Sequence, residues 1–360
     1  MITKRRLLVP AFAALLLAAP IPARAQGDAT VIRDASRAVS DAGRAVSRAV
    51  TRYQGRREDA RFEQTDRQTK TVPLGPAGFL ALHNIAGDIT ITAGGGDNAT
   101  IEIIKVARGS SDADAKELLG LVPVEIIERK GSNRVEVVAR YPEHRGGRGG
   151  RRNFNVTTTY RVVAPAGTRI KTDSISGSIT VSGIRGELTL GTISGNLRIQ
   201  DAGRVVNGST ISGNVELVSV QNDAVVNLSS TSGNVTARGL RVQKIDLGSI
   251  SGSVRGQDLH SNSANLHTMS GNVEYSGTLT SGGRYEFRSH SGDVRLTFGS
   301  GVGFEIEAST FSGEVRSGLA LQLSQGGGGG RNRTIRGTFG DGKARIEAGS
   351  FSGNVVINGR

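Results

Sequence analysis

The sequence of 360 residues has no cysteine and no tryptophan. Without cysteine the chain can form no disulfide, no thiolate metal site and no lipidated cysteine anchor, so packing alone must hold whatever fold it adopts. Aromatic residues make up only 4% of the chain. A core of that composition has few large side chains to fill it. Long apolar runs are also missing. Beyond the N-terminus nothing approaches the roughly 20 residues a spanning helix needs. What is plentiful is glycine, 51 residues, well above the usual share of about 7%. Disorder or a repeat fold with a turn in every coil would account for it. Val, Ile and Leu recur at regular intervals through the C-terminal half, which favours the repeat.

The first 25 residues read as a secretory signal peptide. Lys4, Arg5 and Arg6 precede an apolar stretch from Leu7 to Ala19, and Ala23-Arg24-Ala25 has the form of a cleavage site. The expected location is therefore periplasmic, extracellular or cell-surface. The formal charge of +13 is concentrated in segments. Residues 29–61 hold eight Arg against four acids, and residues 143–152 hold four Arg against Glu143.

Four stretches follow from these patterns: the signal peptide at 1–25, an Arg/Ala-rich segment at 26–62, a strand-rich N-terminal cap at 63–165 and a repeat region at 166–360. In the second, Ile32, Ala35, Val39, Ala42, Val46, Ala49 and Tyr53 alternate in steps of three and four. That seam suits a helix that self-associates through residues 32–53 or lies on anionic lipid, or else a flexible spacer. In the cap, Ser111 to Leu121 reads as a short helix. Val122 to Ile127 and Arg134 to Arg140 read as a hairpin with its turn at Lys130 to Asn133, and Asn155 to Ala164 as another strand. Ala86-Gly87-Asp88-Ile89 looks like a degenerate first coil.

From Ile170 a repeat is plain. Its Ser-Gly pairs are Ser176-Gly177, Ser194-Gly195, Ser212-Gly213, Ser232-Gly233, Ser251-Gly252, Ser270-Gly271, Ser291-Gly292, Ser312-Gly313 and Ser352-Gly353. The steps run from 18 to 21 residues until a final one of 40, which reads as two coils with one Ser-Gly lost around Gly326 to Gly330. Each pair leads to an apolar residue, from Ile179 and Leu197 to Val315 and Val355. Each is preceded by a strand alternating apolar and polar, with Ser or Thr always two residues before the serine. Equivalent positions recur in one direction, so each coil adds a parallel strand about 4.8 Å from the last. Nine clear coils and a tenth would make a β-solenoid about 50 Å long, by analogy with parallel crossovers right-handed. The residue just before each serine is also apolar in most coils (Ile175, Ile193, Ile211, Ile250, Met269, Phe311, Phe351). That suggests a bulge or corner whose inward side chain the sequence does not identify.

The signal peptide, the Ala86-Gly87-Asp88-Ile89-Thr90-Ile91 coil, the Ser-Gly-Asn-Val coils and the closing Phe351-Ser352-Gly353-Asn354-Val355-Val356-Ile357 together resemble one exported bacterial family. It is known as the putative-adhesin family, a domain of unknown function built from β-strand repeats and similar to GIN-type head domains. The resemblance covers residues 65–360. It implies a single-stranded β-helix in the cell envelope or outside it.

Few constellations suit chemistry. Nine equivalent serines cannot each have a base and an orienting acid, so they read as a structural ladder and no catalytic residue is assigned. Asn196, Asn214, Asn234, Asn272 and Asn354 read as a turn ladder, or as a polar track for sugar or metal. Arg198 with Glu216, and Arg255 with Glu274 and Arg295, read as ion pairs between coils. Glu286 and Glu307, expected one coil apart, are the best carboxylate pair for a β-helix polysaccharide hydrolase or lyase. The five histidines read as surface residues, and no metal or cofactor is expected. Arg145, Arg148, Arg151 and Arg152 form an RGG-like loop that in an exported protein suits an anionic polymer or lipopolysaccharide, not nucleic acid. The sequence thus points to an exported, non-enzymatic all-β solenoid, an adhesin or envelope protein that either has a structural role or binds an envelope glycan, lipopolysaccharide or protein.

Overall fold

The computed structural model describes residues 62–129, 133–142, 155–221, 225–299, 301–323 and 333–359. The segment expected to be a signal peptide, the 32–53 seam, the Arg145–Arg152 loop and the glycine run at 326–330 lie outside the described residues.

In chain order the strands begin with β1 (Phe62–Pro73), β2 (Phe79–Ala86), β3 (Ile89–Gly94) and β4 (Asn98–Gly109). The helix α1 (Asp112–Gly120) comes next, then β5 (Val124–Arg129), β6 (Arg134–Ala139) and β7 (Val156–Pro165). Coils follow as β8 (Arg169–Ser176) with β9 (Ile179–Ser182), β10 (Glu187–Ser194) with β11 (Leu197–Gln200), and β12 (Arg204–Ser212) with β13 (Val215–Gln221). After β14 (Val225–Ser232), the long strands β15 (Val235–Ser251) and β16 (Val254–Ser270) each pass from one coil into the next. Then come β17 (Val273–Thr278), β18 (Arg284–Ser291), β19 (Val294–Phe298), β20 (Phe304–Ser312), β21 (Val315–Ser317), β22 (Gln322–Leu323), β23 (Thr334–Phe339), β24 (Ala344–Ser352) and β25 (Val355–Gly359).

The coils stack as two parallel ladders joined at the Ser-Gly corner. One runs β6-β2-β8-β10-β12-β14, continues through the second halves of β15 and β16, and ends β18-β24-β20. The other runs β7-β3-β9-β11-β13, through the first halves of β15 and β16, then β17-β19-β25-β21. This is the single-stranded β-solenoid the repeat predicts, with coils of 18 to 21 residues through its middle. The serines face one another in register from Ala86↔Ser176 to Ser312↔Ser352.

The reason lies in the alternation. In β18, Tyr285, Phe287 and Ser289 are buried while Arg284, Arg288 and His290 are exposed. Every other side chain thus enters a core shared by both ladders, lined by residues such as Leu188, Leu228, Leu247, Val215, Val254 and Leu296. Each buried aliphatic side chain contributes about 1.5–3 kcal/mol. Toward the C-terminal coils Tyr275, Phe287, Phe298 and Phe304 enlarge the core, with Tyr275–Phe287 and Phe298–Phe304 centroids 4.8 and 5.0 Å apart.

Both ends depart from simple sequential stacking. At the C-terminal end, β24 and β25 insert between the coil of β18 and β19 and the coil of β20 and β21. This corrects two expectations. Among the described residues the 40-residue step holds no lost coil: β22 and β23 pair antiparallel, and β23 pairs antiparallel with β20. Nor are Glu286 and Glu307 adjacent, because Glu347 pairs with both. Alternation alone could not reveal this order, since the three coils carry interchangeable patterns. At the N-terminal end, β2 and β3 sit between β6–β7 and β8–β9, although β6 and β7 come later in the chain. Antiparallel β5 covers β6, and antiparallel β4 and β1 cover β7. Antiparallel strands thus cover the first ladder at both ends and the second at its N-terminal end, blunting sheet edges that would otherwise template aggregation. Ser111 caps α1, its Oγ accepting the Asp114 N–H at 3.2 Å, and Ala115 and Leu118 are buried on the inner side of the helix.

Candidate binding surface

The Ser-Gly corner is a stacking device. A Cβ on Gly195 would lie 2.0 Å from the Gly177 carbonyl oxygen, and one on Gly213 equally close to that of Gly195. Only glycine lets the corners approach at strand spacing. Two residues before the serine a buried hydroxyl points inward, and from Thr192 onward it closes the gap to the neighbouring coil. Thr210 donates to the Gly195 carbonyl at 3.0 Å, Ser230 to Gly213 at 2.8 Å, Ser289 to Gly271 at 2.8 Å and Thr310 to Gly353 at 2.7 Å. In the first coil Asn84 takes this place, donating to the Gly87 and Thr158 carbonyls at 2.9 and 2.8 Å. The invariant Ser or Thr was visible in the sequence. Its role was not, because only the stack shows which carbonyl it meets.

On the other side of the glycine the Asn ladder faces solvent and binds backbone. Asn196 Oδ1 accepts the Asn214 N–H at 2.8 Å, and Asn214 Oδ1 accepts the Asn234 N–H at 2.8 Å. Asp293 and Asn354 continue it in stack order, accepting from Asn354 N and Glu314 N at 2.9 and 3.0 Å. These acceptors are engaged in holding coils together, which leaves the turn-ladder reading ahead of a sugar or metal track.

The apolar residue before each serine points outward. There is no bulge: alternation simply continues, and an apolar residue stands where a polar one is usual. Ile175, Ile250, Met269 and Phe351 are 42, 38, 39 and 49% exposed, and Phe311 is 65% exposed. Ile85, Ile193, Ile211 and Thr231 fill the same column in their coils, half-buried. At the C-terminal end the column becomes a ring stack. His290 lies on Phe351 and Phe351 on Phe311, each with centroids 4.8 Å apart and planes within 8°. Beside the column the next positions along the strand are small in several coils, namely Gly191, Ser209, Ser229, Gly248 and Gly349. Exposed apolar side chains aligned in this way are a feature of interaction surfaces.

Several charged groups outside the strip are paired. Arg198 and Glu216 meet at 2.7 Å across neighbouring coils, and Arg255 and Glu274 at 2.6 Å, with Arg295 3.9 Å from Glu274. The hydrogen bond from Arg255 holds the Glu274 carboxyl below its ordinary value. Glu286 pairs with Arg288, Glu307 with Arg336, and Glu347 with Arg288 and Arg345. These carboxylates form a salt-bridged surface column. His83 lies between Glu136 and Asp173 at 3.6 and 3.4 Å, His260 bonds Thr278, and His267 is 3.8 Å from Asp246. Among the described residues no cluster of His, Asp and Glu could hold a metal ion. An open hollow between β1 and α1 contains buried Lys105, which is engaged by Asp66 at 3.0 Å and the Leu119 carbonyl at 3.3 Å. Burial pushes the Tyr160 and Tyr275 hydroxyls above their ordinary value, so they stay protonated in the core.

A family profile described as Toastrack DUF4097 matches residues 79–358, from the first coil to the last. The chain belongs to the Toastrack DUF4097 family. Solved structures also resemble this Toastrack chain. A putative adhesin from Bacteroides fragilis is 13% identical over 82% of this chain and 97% of its own, with a TM-score of 0.37. One from Parabacteroides distasonis is 11% identical over 81% and 97%, also with a TM-score of 0.37. A putative cell adhesion protein from Clostridium sporogenes is 12% identical over 82% and 100%, with a TM-score of 0.24. Such values transfer nothing about binding. No curated protein matches the chain. Among the described residues no helix is long and apolar enough to cross a membrane.

Proposed function

We propose that this Toastrack protein is an exported, non-enzymatic binding module of the adhesin type, and that it engages its partner through the outward apolar column. The observation that carries the reading is the column itself, in which Ile175, Ile250, Met269, Phe351 and Phe311 are exposed along one line of the solenoid. Apolar side chains at that density cost solubility unless something covers them. Export rests on the signal-peptide pattern of residues 1–25. The envelope or a neighbouring surface is then where a glycan, lipopolysaccharide or protein partner would be met.

The test measures binding of the purified chain to glycans, lipopolysaccharide and fixed bacterial cells at low and high salt. Three variants are compared with it: Ile250→Ser, Phe351→Ser and a chain lacking residues 143–152. The column reading expects binding that survives salt, persists without the loop and is lost in both substituted chains. Binding abolished by salt and by loop removal, yet indifferent to Ile250→Ser, would assign recognition to Arg145, Arg148, Arg151 and Arg152 and overturn it.

A further inference from the structure

The column repeats at the spacing of the solenoid itself, so a surface that matches it along its length must carry the same repeat. We propose that the partner of the apolar column is a second copy of this chain, docked antiparallel to form a two-fold homodimer. The proposal rests on reading the column as a contact surface, and of the partners considered above it takes a protein, a second copy of this chain, as the one that occupies it.

Area is the first argument. Ten coils at about 4.8 Å make a column about 45 Å long, and the three outward positions flanking the corner span about 15–20 Å along the strands. The product, about 800 Å², is what one partner contributes to an interface of standard size.

Height is the second. In stack order the column reads Ile85, Ile175, Ile193, Ile211, Thr231, Ile250, Met269, His290, Phe351, Phe311, small at one end and large at the other. Parallel docking would set rings against rings and isoleucines against isoleucines, splaying the sheets. Antiparallel docking sets Ile175 against Phe351 of the partner subunit, Ile211 against the partner's Met269, and Thr231 against the partner's Ile250. Summed heights then stay even, and close contact runs the full length.

Charge is the third. Four residues toward the N-terminus from the column position, a parallel column reads Ala81, Lys171, Thr189, Asn207, Asn227, Asp246, Asn265, Glu286, Glu347, Glu307. A two-fold axis perpendicular to the solenoid sets this column against itself reversed. Lys171 then faces the partner's Glu347, Thr189 the partner's Glu286 and Asn227 the partner's Asp246. Within this column no like charges oppose each other, as complementary interfaces require.

The chain has no native cysteine, so introduced thiols report the geometry directly. Light scattering of the full chain at micromolar concentration is expected to give twice the chain mass. Ile250→Asp, on a side chain already 38% exposed, is expected to weaken the dimer at least roughly tenfold while circular dichroism stays unchanged. A mixture of Thr231→Cys and Ile250→Cys chains should cross-link under mild oxidation, and Ile175→Cys alone should not. A monomer at every concentration, a dimer indifferent to Ile250→Asp, or cross-linking of Ile175→Cys to itself would each overturn the proposal. A monomer that still binds cells through the column would end the dimer and leave the binding function standing. A dimer held by residues 32–53 would reveal itself by that same indifference to Ile250→Asp.

Discussion

Replacing Gly213 with alanine tests the stacking argument at its tightest point. The new Cβ would lie 2.0 Å from the Gly195 carbonyl oxygen, against the 3.0 Å below which real contacts essentially never occur. The φ of Gly213 lies outside the left-handed region, so the cost is steric and not conformational. The coils must separate by about 1 Å. Crossing that gap are Gly195 N–H to Ser212 O at 3.1 Å, Leu197 N–H to Asn214 O at 2.9 Å, and Asn214 N–H to Asn196 Oδ1 at 2.8 Å. Thr210 Oγ1 to Gly195 O at 3.0 Å spans it as well. Losing two or three such bonds, at about 1–1.5 kcal/mol each, predicts a destabilisation of about 2–4.5 kcal/mol. Gly239→Ala is the control: no atom lies within 4 Å of its Cβ, and only its φ of +63° is strained, worth about 1–2 kcal/mol. Urea denaturation followed by circular dichroism measures both. Amide exchange of the 194–215 coils shows whether the damage is local, as repeat stacking requires. A Gly213→Ala cost no greater than that of Gly239→Ala would refute the close-stacking account.

Two further outcomes follow from buried and paired groups. Asn84→Ala leaves the Gly87 and Thr158 carbonyls without their donor and the Ile85 N–H without its acceptor. It should cost about 1–3 kcal/mol, read as a lower urea midpoint with an unchanged slope. The Glu274 carboxyl is held below its ordinary value of 4.5 by the Arg255 hydrogen bond. Its contribution is therefore fully present above that value and is lost as pH falls through the lower folded-state value. Denaturation midpoints measured from neutral pH down past 4.5 should decline less steeply for Glu274→Gln than for the native chain. At neutral pH the two should differ by no more than about 1 kcal/mol, since both partners are partly exposed.

The sequence discloses the coil but not the order of the coils. Tyr285, Ile306 and Ile346 occupy one inward position, and Glu286, Glu307 and Glu347 one outward position, so any stacking order of these three coils satisfies alternation equally. Connection lengths and the antiparallel pairing of β22 and β23 decide among them, and these are tertiary properties. The outward column shows a different limit. Apolar identity argued for burial of Ile250 and Phe351, whereas strict alternation argued for exposure. Alternation prevails because the neighbouring inward place belongs to a hydroxyl that must reach the Gly carbonyl of the next coil. An apolar side chain there would leave that carbonyl without its donor. The ion pairs of Arg198 with Glu216 and Arg255 with Glu274 were legible because they depend only on register between consecutive coils.

The interposed end coils also govern how such a protein can change length. Between β8 and β19 chain order and stack order coincide, so a duplicated unit of one coil slides in and moves its neighbours apart by a single strand spacing. At either extremity the same duplication would have to thread a strand into a slot already framed on both sides. The molecule is thus a telescope with two fixed ferrules. Its midsection can gain or shed sections in whole-coil steps, while the fittings at each end keep their size and their closure.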